Sequence, residues 1–248
     1  MQPPIGQSRS DYRTEFVAVR ALDDERIREM AALYLQHFDA SSESLFRDDL
    51  ADKDEVLLLR HGDELAGFSA VKFYERDWNG SPVRIVYSGD TIVAPAHWGQ
   101  QRLAFDWITR TGRLKRESPT LPLYWFLLVK GHRTFRYLPI FSRSFFPHWQ
   151  SAPPALKALA DQLAGERFGA DYNATTGVVE FETSRGHLRD DLALPDDGEL
   201  ARPAVRFFLE RNPGYRRGHE LVCLCELDVD NLKPLAARLF RKGLDGDA

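Results

Sequence analysis

Cysteine is nearly missing from these 248 residues: there are two, Cys223 and Cys225, and methionine is as scarce. No C-x-x-C pair exists for zinc or redox work. Two cysteines alternating along a strand share a face but are poorly placed to bridge each other, so they read as buried apolar packing. Long hydrophobic runs are missing too, and none approaches the length of a bilayer-crossing helix. The opening MQPPIGQSRSDYR lacks the apolar segment of a secretory signal and reads as a short tail, with the cytoplasm as the expected compartment. An excess of positive charge is also lacking. The net charge of −4 excludes nucleic-acid binding driven by overall charge. The H-E-x-x-H, G-x-S-x-G, Walker A and Rossmann glycine signatures do not occur, nor do internal repeats or low-complexity tracts.

What remains is an ordinary soluble composition, 43% hydrophobic and 28% charged, long enough to bury a sizeable core. Periodicity predicts a strand over 14–22 and a helix from Asp23 or Asp24 carrying Ile27, Met30, Tyr34 and Phe38. A second helix starts at Ser41-Ser42-Glu43. Strands over 55–60 and 65–74 form a hairpin about His61-Gly62-Asp63, and a long strand over 83–93 follows the turn at Trp78-Asn79-Gly80-Ser81. A helix over 100–116, an almost wholly apolar strand over 121–129 and a short aromatic and basic helix over 132–146 come next. Later residues predict helices over 153–168 and 203–211, a short strand over 177–181, an exposed loop over 184–200, a strand over 219–227 and a last helix capped by Asp230. These later elements are expected to complete the same sheet, because each apolar face is too small to stand alone.

The most informative stretch runs from Ile85 to Ala104: a strand, a proline-containing turn, then a loop opening a helix. Such a junction aims unpaired backbone N–H groups at one point, with the positive end of the helix behind them, and suits a phosphate or pyrophosphate. The segment resembles the acyl-CoA-binding motif of the GNAT acyltransferase superfamily, whose strand ends V-x-P-x-x-R-G-x-G-x-G. Val93, Pro95 and Gly99 match that register, while Trp98, Gln101 and Leu103 replace an arginine and two glycines. The element order β-α-α-β-β-β-α-β-α over roughly 14–147 is similar to the GNAT core. The resemblance implies an α/β (α+β) fold, a GNAT-like mixed central sheet flanked by helices with an elaborated C-terminal half. The organisation is then a tail over 1–13 and one domain over 14–248, with a core at 14–147 and an elaboration at 148–248.

The implied activity is direct transfer of an acyl group, acetyl or longer, from a CoA thioester to the amine of a small molecule or peptide, with no metal. It needs a base or amine-binding group, a donor for the developing oxyanion and an acid for the departing thiolate. The cofactor-binding positions are then Ile92 and Val93, whose backbone would pair with the pantetheine arm, and Trp98, Gly99, Gln100, Gln101, Arg102 and Leu103 about the pyrophosphate. Gln101 and Leu103 stand where side chains would crowd the phosphates, and an inward-facing Arg102 would offset this. Asp90, inside an apolar strand, is either the base or a carboxylate satisfied by Ser88, Thr91 or a nearby loop. His97 is a second base candidate or a solvent-facing histidine. Tyr137 is the acid candidate, one place early against the family's N-x-x-A-x-x-L-Y pattern, and otherwise core; Tyr124 is a weaker substitute. The basic and aromatic run from Lys130 to Trp149 either grips an anion or a membrane surface, or buries one face and solvates the other. Two further readings stay open: a non-catalytic GNAT-like ligand- or protein-binding module, and a peripheral membrane acyltransferase fed by a carrier protein.

Overall fold

The computed structural model describes residues 11–150 and 153–246. In chain order the elements are β1 (Tyr12–Ala18), α1 (Asp24–Leu35), β2 (Phe38–Asp39), α2 (Glu43–Ala51), β3 (Glu55–His61), β4 (Glu64–Trp78), β5 (Ser81–Val93), α3 (Arg102–Glu117), β6 (Leu123–Val129), α4 (His132–Phe135) and α5 (Tyr137–Phe141). There follow α6 (Pro154–Phe168), β7 (Tyr172–Asn173), β8 (Val178–Val179), β9 (His187–Leu188), α7 (Asp190–Ala193), α8 (Asp197–Leu200), α9 (Pro203–Arg211), β10 (Glu220–Glu226) and α10 (Pro234–Asp245).

Local chemistry places the boundaries. Asp23 caps α1 by accepting from the Arg26 amide, and Ser42 caps α2 through the Leu45 amide. Asn79 and Gly80, both at positive φ, make the tight turn between β4 and β5. Of the tail expected over 1–13, residues 1–10 lie outside the described ones, while Tyr12 and Arg13 already belong to β1. Asp230 does not cap the last helix, which starts at Pro234 behind Lys233.

Eight strands form one mixed sheet in the order β1-β3-β4-β5-β6-β10-β8-β7. All neighbours are antiparallel except β5 and β6. That pair brackets α3, as a parallel crossover requires. One face of the sheet packs on α3, α5, α9 and α10 through Leu57, Val86, Trp107, Trp125, Leu127, Phe208 and Phe240. The opposite face packs on α1 and α2 through Met30, Phe46 and Phe68, and on α6 through Ile85, Phe126 and Leu163. Each such side chain contributes about 1.5–3 kcal/mol on burial. Cys223 and Cys225 are fully buried on the α3 face.

The C-terminal elements extend this sheet: β10 lies directly against β6, with Leu221 opposite Val129. The segment over 184–200, read from sequence as an exposed loop, holds β9, α7 and α8. Its acidic residues sit at helix starts: Asp190 and Asp191 in the first turn of α7, Asp197 in that of α8, while Asp196 caps α8 and forms a reciprocal capping box with Glu199.

Candidate active site

Strands β5 and β6 pair from Arg84–Leu123 to Ser88–Leu127 and then part, although β5 runs on to Val93 and β6 to Val129. At the parting point β5 bulges. Ser88 pairs with Val71 and Thr91 with Ser69, so Gly89 and Asp90 together face Ala70. A bulge bends its strand and re-aims a side chain. Here it points Asp90 into a cleft of about 1050 Å³ that opens between the two strand ends.

Asp90 sits half-buried at this point. Ser88 and Thr91 do not satisfy it: the Ser88 hydroxyl accepts from the Trp125 indole at 2.8 Å, and the Thr91 hydroxyl bonds Ser69 at 2.7 Å. Among the described residues no hydrogen bond or ion pair reaches the Asp90 carboxylate. Loss of water pushes its pKa up to about 6, with the Lys130 ammonium pulling it down and Asp49 pushing it up again. Lys130 lies 3.1 Å from Glu220. Burial alone would lower Lys130, but Glu220, Tyr34 and Asp90 outweigh it and hold it charged. Sequence reasoning missed this pair across β6 and β10, because only the folded sheet brings Lys130 and Glu220 together.

The cleft has two sides. Toward α1, α2 and α6 it is walled by Tyr34, Phe38, Tyr87 and Phe181, with the Arg167 guanidinium 4.3 Å over the Tyr87 ring and bonded to Asp52. Toward α3, α4 and α5 it is walled by Trp98, Gly99, Gln100, Arg133, Arg136 and Tyr137. Tyr137 stacks on Phe141, centroids 5.5 Å apart, and its hydroxyl has no hydrogen-bond partner among the described residues. Burial raises its pKa and Arg136 opposes the rise.

Of the positions singled out from sequence, the cleft gathers Asp90, Tyr137, Ile92, Val93, Trp98, Gly99 and Gln100. Gln101, Arg102 and Leu103 stand outside its lining. The Ala94 amide donates to the Ala66 carbonyl at 2.9 Å. Alternation therefore turns the backbone of Ile92 toward β4 and the amide and carbonyl of Thr91 and Val93 toward the open edge. Ile92, whose backbone is expected from sequence to be open to a pantetheine arm, is thus turned toward β4, and Thr91 stands at the open edge beside Val93. The Val93 carbonyl is not free: the Trp98 indole donates to it at 2.7 Å. Gly99, at φ +91°, makes the turn that brings the loop to α3.

Arg102 does not face inward. Its guanidinium pairs with Asp106 at 2.5 Å, and Asp106 also accepts from Thr14 on β1. Its amide is capped by the Gln100 side chain at 2.7 Å. Leu103 is buried in the core on the sheet side of α3 and does not project toward the cleft, whose lining it does not join. His97 is neither solvent-facing nor in the cleft. It is buried at the far end of the turn, with the Tyr12 hydroxyl 2.9 Å from its Nδ1 and Glu64 3.5 Å from its Nε2. Tyr124 lies near the other end of β6, outside the cleft lining.

The aromatic and basic run divides between core and cleft. Phe135, Phe141, Phe145 and Phe146 are buried, while Ile140 in the same run is exposed. Arg133 stacks 4.6 Å over the exposed Trp98 ring and pairs with Glu199 at 3.0 Å, so α4 is tied both to the β5–α3 loop and to α8. Leu188, Leu192 and Glu199 also line the cleft. No sequence signal marked them, because their contribution depends on where a polar segment folds back. No helix among the described residues is long and apolar enough to cross a membrane.

No protein-family model and no curated protein sequence matches the chain. Solved structures do. One is a conserved protein of unknown function from Enterococcus faecalis V583, a probable N-acyltransferase, with 12% identity and a TM-score of 0.42 over 54% of this chain and 33% of that one. Another is a GCN5-related N-acetyltransferase from Kribbella flavida, with 16% identity and a TM-score of 0.39 over 56% and 36%. A third is a GNAT family N-acetyltransferase from Escherichia coli in complex with CoA, with 14% identity and a TM-score of 0.38 over 55% and 72%. The match spans about a third of the length of the first two proteins. The solved proteins to which this divergent chain is similar are thus GNAT-family N-acetyltransferases and a probable N-acyltransferase.

Proposed function

We propose that this chain is a GNAT-type acyltransferase that moves an acyl group from an acyl-CoA thioester to an amine. The observation that carries the proposal is the Asp90 carboxylate, re-aimed by a bulge to the apex of the β5–β6 split and left without a hydrogen-bond or ion-pair partner among the described residues. An unpaired carboxylate withdrawn from water is costly and is retained where it does chemistry. The proposed fit of CoA rests on three features of the α3 side. Thr91 presents its backbone, and Val93 its amide, to the open edge for the amide-bearing pantetheine arm. The loop and first helical turn over Gly99–Leu103 would offer backbone amides to the pyrophosphate once the Gln100 side chain, which caps the Arg102 amide, gives way. Arg136 lines the same side with no carboxylate partner among the described residues.

In this reading the amine enters from the α1–α2 side, where Tyr34, Phe38 and Tyr87 give apolar walls. Asp90, poised near pH 6, accepts the amine's proton as nitrogen attacks the thioester carbonyl carbon. The backbone of Gly89 and Asp90, which the bulge leaves out of the ladder, is the oxyanion donor. The C–S bond then breaks, and the Tyr137 hydroxyl gives its proton to the departing sulfur.

Calorimetric titration with CoA and acetyl-CoA should show saturable, mutually competitive binding. Asp90→Asn and Tyr137→Phe should keep that binding and lose at least about 10²-fold in turnover, the usual contribution of a positioned acid or base. Absence of heat with every CoA species would refute the proposal. One observation favours the non-catalytic module instead: the Trp98 indole occupies the Val93 carbonyl that a pantetheine amide would use. That reading predicts ligand binding indifferent to both substitutions and no turnover with any amine.

A further inference from the structure

We infer that the β5–α3 loop is a self-occupied gate on the donor side of the cleft, with Trp98 as its bolt and the α7–α8 segment as its anchor; this rests on the acyl-CoA reading above. Two backbone groups that the donor would use are taken by side chains of the loop itself. The Trp98 indole donates to the Val93 carbonyl at 2.7 Å, and the Gln100 side chain accepts from the Arg102 amide at 2.7 Å. Both contacts are made within the loop and ties no distant element to it.

Trp98 is placed to move. Trp107 and Trp125 are 7% and 5% exposed in the core, whereas Trp98 is 46% exposed at the cleft wall. Its ring can therefore leave with little loss of buried apolar surface. Gly99 follows it at φ +91°, and a Cβ there would meet nothing within 4 Å, so the backbone has room to turn at that point. What holds the ring in place is Arg133. Its guanidinium stacks 4.6 Å over Trp98 and donates both to the Leu192 carbonyl in α7 and to Glu199 in α8, the latter at 3.0 Å. Glu199 is itself fixed, 3.2 Å from the His132 Nε2 and locked into the α8 capping box. The C-terminal segment thereby keeps Arg133 over the indole, and the indole on the Val93 carbonyl. An arm laid along β5 must displace Trp98, so its apparent affinity is lowered by the closed fraction of the gate.

The test is calorimetric titration with CoA, and with ADP as a nucleotide pyrophosphate that has no arm. Trp98→Phe keeps the ring and its stack but removes the indole N–H, and should tighten CoA about fivefold. Trp98→Ala removes the stack as well and should tighten it about tenfold or more. ADP should bind wild type and both variants equally. Glu199→Gln, which releases Arg133, should tighten CoA in the wild-type background and have no further effect in Trp98→Ala, as coupled sites behave. In the wild-type protein the indole N–H resonance that Trp98→Phe abolishes should shift on saturation with CoA. CoA affinity unchanged or weakened in both Trp98 variants overturns the gate while leaving the acyl-CoA reading intact. So does an indole resonance that saturating CoA leaves unmoved, or an equal tightening of ADP. Failure of CoA to bind wild type and variants alike overturns the acyl-CoA reading and the gate with it.

Discussion

At the scale of single residues, Asp90 carries both the chemistry proposed and a stability cost. An aspartate in the unfolded chain titrates near 3.9, whereas folded Asp90 is pushed up to about 6 by loss of water. Between these values the folded protein binds the extra proton, so stability falls as pH rises from about 4 to about 6. Above that window the full cost stands, roughly 3 kcal/mol for such a displacement. Asp90→Asn removes the charge while keeping the shape. The variant is expected to be about 1–3 kcal/mol more stable than wild type at pH 8 and no more stable near pH 4, measured by urea unfolding at both pH values. A carboxylate held by an unseen partner would give the opposite sign at pH 8. The residue itself was legible in the sequence as a charge inside an apolar strand. Its isolation was not, because Ser88 and Thr91 stand beside it in the chain and their engagement with Trp125 and Ser69 is a property of neighbouring strands. Arg102 and His97 show the same limit. Their proximity to the loop is sequential, while their partners Asp106, Tyr12 and Glu64 come from other elements or another turn of the helix.

At the scale of elements, α3 and α10 approach each other unusually closely through glycine. A Cβ on Gly112 would lie 2.1 Å from the Phe240 carbonyl oxygen, and one on Gly243 would lie 2.0 Å from the Thr109 carbonyl oxygen. Helix propensity alone favours Gly112→Ala by about 1 kcal/mol. The clash is with backbone, which cannot rotate away, and overpacking of this kind costs about 1–3 kcal/mol or more. Gly112→Ala should therefore lower stability despite the better helix former, and weaken CoA binding as α3 shifts. Thermal melting and the same titration check it; a raised melting temperature would show that the helices separate freely. Most elements were legible because their signals are local: Asp23 and Ser42 as caps, Asn79-Gly80 as a turn, alternation through β3 to β5. One exception is the 184–200 segment; Asp230, which does not cap the last helix, is another. The segment's polar composition matches an exposed loop, yet Asp196 and Glu199 spend their polarity on capping α8 while Glu199 also holds Arg133.

At the scale of the whole molecule, β10 lies between β6 and β8, so residues from both halves of the chain share one sheet and one core. Unfolding should then be a single transition, with far-ultraviolet signals from the sheet and near-ultraviolet signals from Trp107 and Trp125 coincident in denaturant. Two separated transitions would mean that the C-terminal elements fold apart. The small apolar faces of these elements lead to the expectation that they complete the same sheet, but not to which strand they join, since pairing partners leave no mark on alternation.

The clasp of α10 on α3 also sets an order in time. The ribosome delivers the β5–α3 junction well before the helix that braces it, and β6 through β10 must all emerge in between. A nascent chain halted after α5 would carry the whole β5–α3 loop, yet the α3 below it would lack its glycine contact and β6 would lack its outer neighbour. The brace beneath this loop is thus a late event in the life of the polypeptide, in place only when α10 docks.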